Sequence, residues 1–291
     1  MSATDNVTAV RGGNAPKAWK RFRRNGPALV ALAIVVAFGT VALLAPYLAQ
    51  HSPRAISYTA ILEPPSALHW FGTDELGRDV FARVVFGARV SLGIGFSAVF
   101  IASIVGTIVG IASGYLGGWF DEIVMRVVDA LMALPFLVLA IVIAAVLGAN
   151  MQNTILAVAI VSIPAFARLA RGETIALKDR EFIQAVNALG ARSVRIVLRH
   201  VLPNVSGPLI VQTTLATAQA ILTESSLSFL GLGVQPPNPS WGSILNEGRP
   251  FLQLSPWMSI FPGLMILLSV LAVNLVSDTL RDRWDTSLGA G

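Results

Sequence analysis

The feature that most constrains this chain is a series of long apolar runs, the first of which extends without a charge from Pro27 to Ala49. A helix needs about 20 such residues to cross the hydrocarbon core of a bilayer. Lipid offers no partner for an open backbone, so each run that crosses is expected to be helical. Six spans are predicted, at 27–49, 88–115, 122–148, 153–171, 207–225 and 257–279. The fifth is the least apolar, because Gln212, Gln219 and four threonines interrupt it. Composition agrees: 54% of the residues are hydrophobic and 13% charged, where a soluble domain carries roughly 25% charged residues.

The first run follows Lys17, Lys20, Arg21, Arg23 and Arg24, which gives it the look of a secretory signal. It is longer than the roughly 7–15 apolar residues of such a signal, so we read it as an uncleaved anchor. Residues 1–16 are small and polar and are expected to be disordered. The chain contains no cysteine, which removes disulfides, thiolate metal sites and cysteine nucleophiles.

Basic residues fix an orientation. With the N-terminus in the cytoplasm, six lie in the N-terminal tail, seven in the loop after the fourth span and two at the C-terminus. Four face outward: Arg54, Arg78, Arg83 and Arg249. That bias obeys the positive-inside rule and accounts for the basic pI of about 10.2 without nucleic acid. The expected segments are a cytoplasmic tail (1–26), an anchor helix (27–49), an extracytoplasmic stretch (50–87), a five-helix core (88–280) with a cytoplasmic loop at 172–206, and a second cytoplasmic tail (281–291).

Catalytic templates are absent. The sequence has no GxxxxGK[ST] loop, HExxH or GxSxG, and His51, His69 and His200 all fall outside the spans. Transport or scaffolding remains. An ion-coupled transporter would need paired acids at mid-membrane depth, for which Asp129 is the only candidate.

Loop 172–206 is the most informative segment. Asp179 is placed to cap a helix whose apolar positions Phe182, Val186 and Leu189 share one face, with Gly190 as the C-terminal turn. A second basic amphipathic piece, 192–202, ends at Pro203. A short amphipathic helix of this kind either lies on the membrane surface or docks on a partner protein.

Other patterns have structural and functional readings. Ala98, Ala102, Gly106, Gly110 and Gly114 recur every four residues and allow close approach of another helix, in this chain or in a partner. Glu122, Arg126 and Asp129 have the spacing for pairing within one helix. Gln212, Ala216, Gln219 and Thr223 form a polar stripe that either lines a pathway or hydrogen-bonds to neighbouring helices. Glu224 is expected at a solvated interface. Pro135, Pro164 and Pro262 are expected to kink their helices.

The run QAVNALGARSVRIVLRHVLPN resembles the EAA loop of ABC importer permeases. Gln184, Ala185 and Val186 stand in the EAA positions, Gly190 is the motif glycine, and Leu202 and Pro203 are its closing LP. Two further stretches, FGTDELGRDVFARVVFGARVSL and ESSLSFLGLGVQPPNPSWGSIL, are similar to the C-type subunits of dipeptide, oligopeptide and nickel permeases, as is the C-terminal NLVSDTLRDRWD. The resemblance covers residues 17–285. It implies an all-α integral membrane protein with the type I ABC importer permease fold and no covalent chemistry of its own. It also implies a homologous B-type permease, two ATPase subunits that hold the ATP and Mg, and an extracytoplasmic substrate-binding protein as partners. Phe182, Gln184, Ala185, Val186, Leu189 and Gly190 would then form the coupling helix. Similar permeases carry dipeptides, longer peptides, glutathione, haem or nickel.

Overall fold

A computed structural model describes residues 26–288. The basic residues of the N-terminal tail lie outside this range, as does the disorder expected for residues 1–16. Side chains beyond Arg281 are likewise outside the described residues.

Helix α1 (Gly26–Leu48) is a peripheral anchor. Only a few of its small residues, such as Ala31 and Ala45, are buried, and Leu43 and Tyr47 stand open on its outer surface. Helix α2 (Val80–Leu116) starts eight residues before the predicted span. At about 1.5 Å per residue it is about 55 Å long, well beyond the bilayer core. Asp79 caps it, with Oδ1 accepting from the Ala82 N–H at 2.7 Å. Its first turns carry Arg83, whose charge is neutralised by acids from other segments, so the helix can begin before the apolar stretch does.

The predicted span 122–148 is two helices, α3 (Gly118–Met132) and α4 (Phe136–Leu147), bent by 94°. Pro135 has no N–H to continue the ladder and restricts the backbone of Leu134 before it. Helices α5 (Met151–Lys178), α8 (Leu202–Phe229) and α10 (Trp257–Leu288) continue through Pro164, Pro208 and Pro262. Between α5 and α8 come α6 (Glu181–Ala188), the single turn α7 (Ser193–Ile196) and a π-helical turn, Val197–Val201. Pro203 therefore sits in the first turn of α8, where its missing N–H costs nothing, and does not end the preceding segment. A last short helix, α9 (Trp241–Gly248), lies in the second long loop. Among the described residues five helices are long and apolar enough to cross a membrane, and the bent α3–α4 pair, taken as one span, brings the number to six.

Two apolar cores hold these elements. The inner core joins α2, α4, α5, α8 and the loop helices around Phe166, Ile183, Ile196, Val201 and Val205. The outer core gathers Val80, Val84, Leu92, Ile221, Ile244 and Met258 around Trp241, which is fully buried. The indole Nε1 of Trp241 donates to the Val84 carbonyl at 3.0 Å.

The glycine row of α2 meets α5 of the same chain. A Cβ added at Gly106 would fall 2.6 Å from Phe166 Cβ, one at Gly110 2.3 Å from the Ala167 carbonyl, and one at Gly114 2.8 Å from the Arg171 carbonyl. The two backbones touch, as small residues at four-residue spacing permit.

Candidate functional site

The loop 172–206 is built on two inward anchors. Ile183 of α6 and Ile196 of α7 are buried in the inner core, and Val186 packs half-buried against it. Phe182 and Leu189, expected to share a face with Val186, turn away from it instead. Leu189 is 87% exposed and Phe182 42%. The expected stripe therefore divides, because Ile183 and Val186, three apart, are the pair that faces inward. Gln184, Ala185 and Gly190 are exposed, and the amide of Gln184 donates to the Asp179 carbonyl at 3.3 Å.

Capping also differs from expectation. Asp179 closes the C-terminus of α5, and the residue preceding α6 is Arg180, which makes no side-chain cap. Gly190 takes a φ of +78° after the helix, and its N–H reaches the Asn187 carbonyl at 2.9 Å. This left-handed turn suits glycine and re-aims the chain. His200 of the π-helical turn lies against Phe182, ring centroids 6.4 Å apart, a contact between residues too distant in sequence to read from spacing.

The charges near the loop pair across helices. Asp129 binds Arg168, and Asp121 takes a forked contact from Arg171 at 2.5 and 2.6 Å. Both arginines come from α5, so they tie α3 to it in place of the expected pairing of Arg126 within one helix. On α8, Gln219 is exposed and Gln212 partly so, while Ala216 and Thr223 of the same stripe are turned further into the protein.

The outer end holds a second polar assembly, which the sequence reading missed. Asp74 is fully buried and accepts from Arg83 Nη1, from Arg78 Nε at 2.6 Å, and from the Leu76 and Arg78 N–H groups, both at 2.9 Å. Glu247 of α9 reaches Arg78 Nη2 at 2.7 Å and Arg83 Nη1 at 2.5 Å. The two long outer loops are thereby locked together. Arg54 Nη2 donates to Asn238 Oδ1 at 2.6 Å as a further tie. Glu75 joins the rim, and burial, reinforced by the neighbouring Asp74 charge, pushes its carboxyl above the usual range. The visible signal was Arg83, a charge at the edge of an apolar run.

Glu224, expected to be solvated, is completely buried. Ser228 Oγ donates to it at 2.8 Å and Ser225 Oγ at 3.4 Å. The serines that follow it in sequence supply the hydrogen bonds that a buried carboxyl requires.

Comparison with known proteins agrees with this architecture. Residues 106–288 match the family described as binding-protein-dependent transport system inner membrane component. Residues 17–65 match the N-terminal TM domain of oligopeptide transport permease C. The dipeptide transport system permease protein DppC of Alkalihalophilus pseudofirmus is 45% identical, over 98% of this chain and 93% of its own length. The glutathione transport system permease protein GsiD of Escherichia coli is 46% identical, over 93% of this chain and 89% of its own. Among solved structures, the MetNI methionine ABC transporter in its inward facing conformations has a chain similar in fold, with a TM-score of 0.54 and 18% identity, covering 69% of this chain and 96% of that one. The match over most of the helical core, with relatives alike along almost the whole sequence, identifies the chain as a multi-pass membrane permease that belongs to the family of binding-protein-dependent transport system inner membrane components.

Proposed function

We propose that this chain forms half of the translocation pathway of an ATP-driven importer for short peptides. The observation that carries the reading is the divided face of α6. Ile183 and Val186 fix the helix to the core, while Leu189 stands 87% exposed among the described residues and Phe182, flanked by His200, is partly open beside it. An exposed apolar knob on a rigid mount is suited to a protein groove. The chain has no phosphate-binding loop of its own, so ATP and Mg are assigned to two ATPase subunits, and a homologous B-type permease supplies the other half of the pathway. The N- and C-termini lie in the cytoplasm, in keeping with the distribution of basic residues. An extracytoplasmic binding protein delivers substrate to the outer loops.

The mechanism asks α6 to transmit work. The ATPases do so only if their two states prefer different positions of this helix; equal preference would move nothing. Gln212 and Gln219, seven residues apart on the open face of α8, are assigned to the pathway wall, where their amides can exchange hydrogen bonds with a peptide backbone. The substrate class is supported by the names of the two relatives, since a dipeptide and glutathione are both short peptides.

The test uses the assembled permease pair, ATPases and binding protein in lipid discs. Peptide-stimulated ATP hydrolysis in the wild-type assembly is expected to fall at least tenfold in Leu189→Asp, about 1.4 kcal/mol or more of lost coupling. Substitution of Leu189 is preferable to that of Val186, whose partial burial would mix coupling with stability. Unchanged stimulation in the variant would overturn the coupling assignment. A wild-type assembly that ignores peptides but responds to nickel or haem would overturn the substrate class alone.

A further inference from the structure

We propose that His51, His69 and Asp79 form a binding site for a borderline divalent cation, zinc foremost, on the outer side of the protein. The three residues come from three places. His51 follows the anchor helix α1, His69 lies in the first outer loop, and Asp79 caps α2. One nitrogen from each ring and one oxygen of the carboxylate lie within 4.8 Å of one another.

The distances favour a shared ion. His69 Nδ1 stands 2.8 Å from Asp79 Oδ2, within hydrogen-bond distance, and His51 Nδ1 lies 3.6 Å from the same oxygen. The second separation is too long for a hydrogen bond. Ligand atoms held tetrahedrally at about 2.0–2.1 Å from zinc are about 3.3 Å apart, between the two observed values. Among the described residues neither imidazole hydrogen-bonds to any other group, and their ring centroids are 5.1 Å apart.

The carboxylate is oriented for the task. Its Oδ1 is engaged with the Ala82 N–H, which leaves Oδ2 turned toward the two rings. Asp79 and His69 are buried, whereas 36% of the His51 side chain is exposed, so an ion has a way in and a water can complete its coordination. Two imidazoles and one carboxylate form a donor set for zinc and neighbouring divalent metals rather than for calcium or magnesium, which prefer oxygen. A bound ion would clip the chain leaving α1 to the first turn of α2, closing segment 52–78 into a loop.

The experiment strips the intact permease–ATPase assembly, purified without a histidine tag, with a chelator and then titrates it with Zn(II). Metal content is read by elemental mass spectrometry, and Co(II) serves as a visible-absorption probe. One tight equivalent per copy of this chain is expected. His51→Ala should weaken it by about 100-fold, while His51→Cys should restore binding and add a cobalt–thiolate charge-transfer band, in a chain that otherwise has no cysteine. Because His51 makes no hydrogen bond, its loss leaves the Asp79 cap in place, and an unchanged unfolding midpoint of the stripped protein checks this. Absence of a tight equivalent in the wild type, or the same affinity in His51→Ala, would overturn the proposal. The readout is independent of which substrate the importer carries.

Discussion

The two ends of the molecule handle the cost of their exposed chemistry in opposite ways. At the outer end, charge is taken inside and matched. Asp74 meets two guanidinium groups and two backbone N–H groups, and Glu247 closes the same cluster from another loop. At the end that carries loop 172–206, apolar surface is left outside and unmatched, with Leu189, Val194 and Leu198 more than half exposed. Buried charge is tolerated only where partners are in place, and Asp74, Arg78 and Glu247 find theirs within this chain, while Arg83 Nε and one Glu75 oxygen are buried without a hydrogen bond. Exposed leucine in a fixed position marks a contact still to be made. The difference separates a region whose charges find partners within the chain from one that offers uncovered apolar surface.

Substitutions that attack each end should therefore report differently. The largest loss of stability is expected from Asp74→Ala, which leaves Glu247 as the only acid shared by Arg78 and Arg83. Removing one partner of a buried pair costs about 3–5 kcal/mol, measurable as a lower unfolding midpoint of the purified complex. A midpoint equal to wild type would mean that the outer loops are held by apolar packing alone. Next comes Gly110→Val between the two ends, where new atoms meet the Ala167 carbonyl. Overpacking of this kind costs about 1–3 kcal/mol.

A smaller effect is expected from Glu75→Gln, within about 1 kcal/mol, because the Arg78–Glu75 pair is partly exposed. Its pH dependence is the sharper test. Glu75 is held above its ordinary range chiefly by burial, then by Asp74. Its contribution therefore favours the fold in acid and fades as pH rises through its folded value. The variant should lose ground to wild type in acid and recover it toward neutral pH in parallel melting curves; the opposite trend would place Glu75 in a favourable ion pair. The smallest shift in unfolding, within about 0.5 kcal/mol, is expected from Leu189→Asp, even though it should abolish coupling. A strongly destabilised Leu189→Asp would erase the contrast between the two ends.

Much of the fold was legible because crossing a bilayer demands length and apolarity together, and α1, α5 and α10 announce both. The start of α2 was not, since Arg83 reads as loop until Glu247, distant in sequence, is placed beside it. Pro135 signalled an interruption, but a 94° turn needs the packing of both halves. In the loop, Gly190 and the motif around it gave the helix–turn–helix outline. The inward pair remained hidden because Phe182, Val186 and Leu189 form an equally regular stripe, and only the position of the core decides between it and Ile183 with Val186. Glu224 misled for a similar reason: a carboxylate near a span end is normally solvated, and the hydroxyl groups of Ser225 and Ser228 looked like ordinary helix composition.

The contact between α2 and α5 has a mechanical side. Where Gly106, Gly110 and Gly114 let two backbones touch, no flexible side chains lie between them to absorb a displacement, and the Phe166 and Ala167 ridges block sliding. Helix α2 alone is about 55 Å long, and α5 backs it closely from Gly106 to Gly114. At one end α5 runs into α6 through the short link Asp179–Arg180, and at the other α2 meets Trp241 and the ionic cluster. A displacement at one end of this contact would be shared by both helices, since no compliant layer lies between Gly106–Gly114 and the α5 backbone.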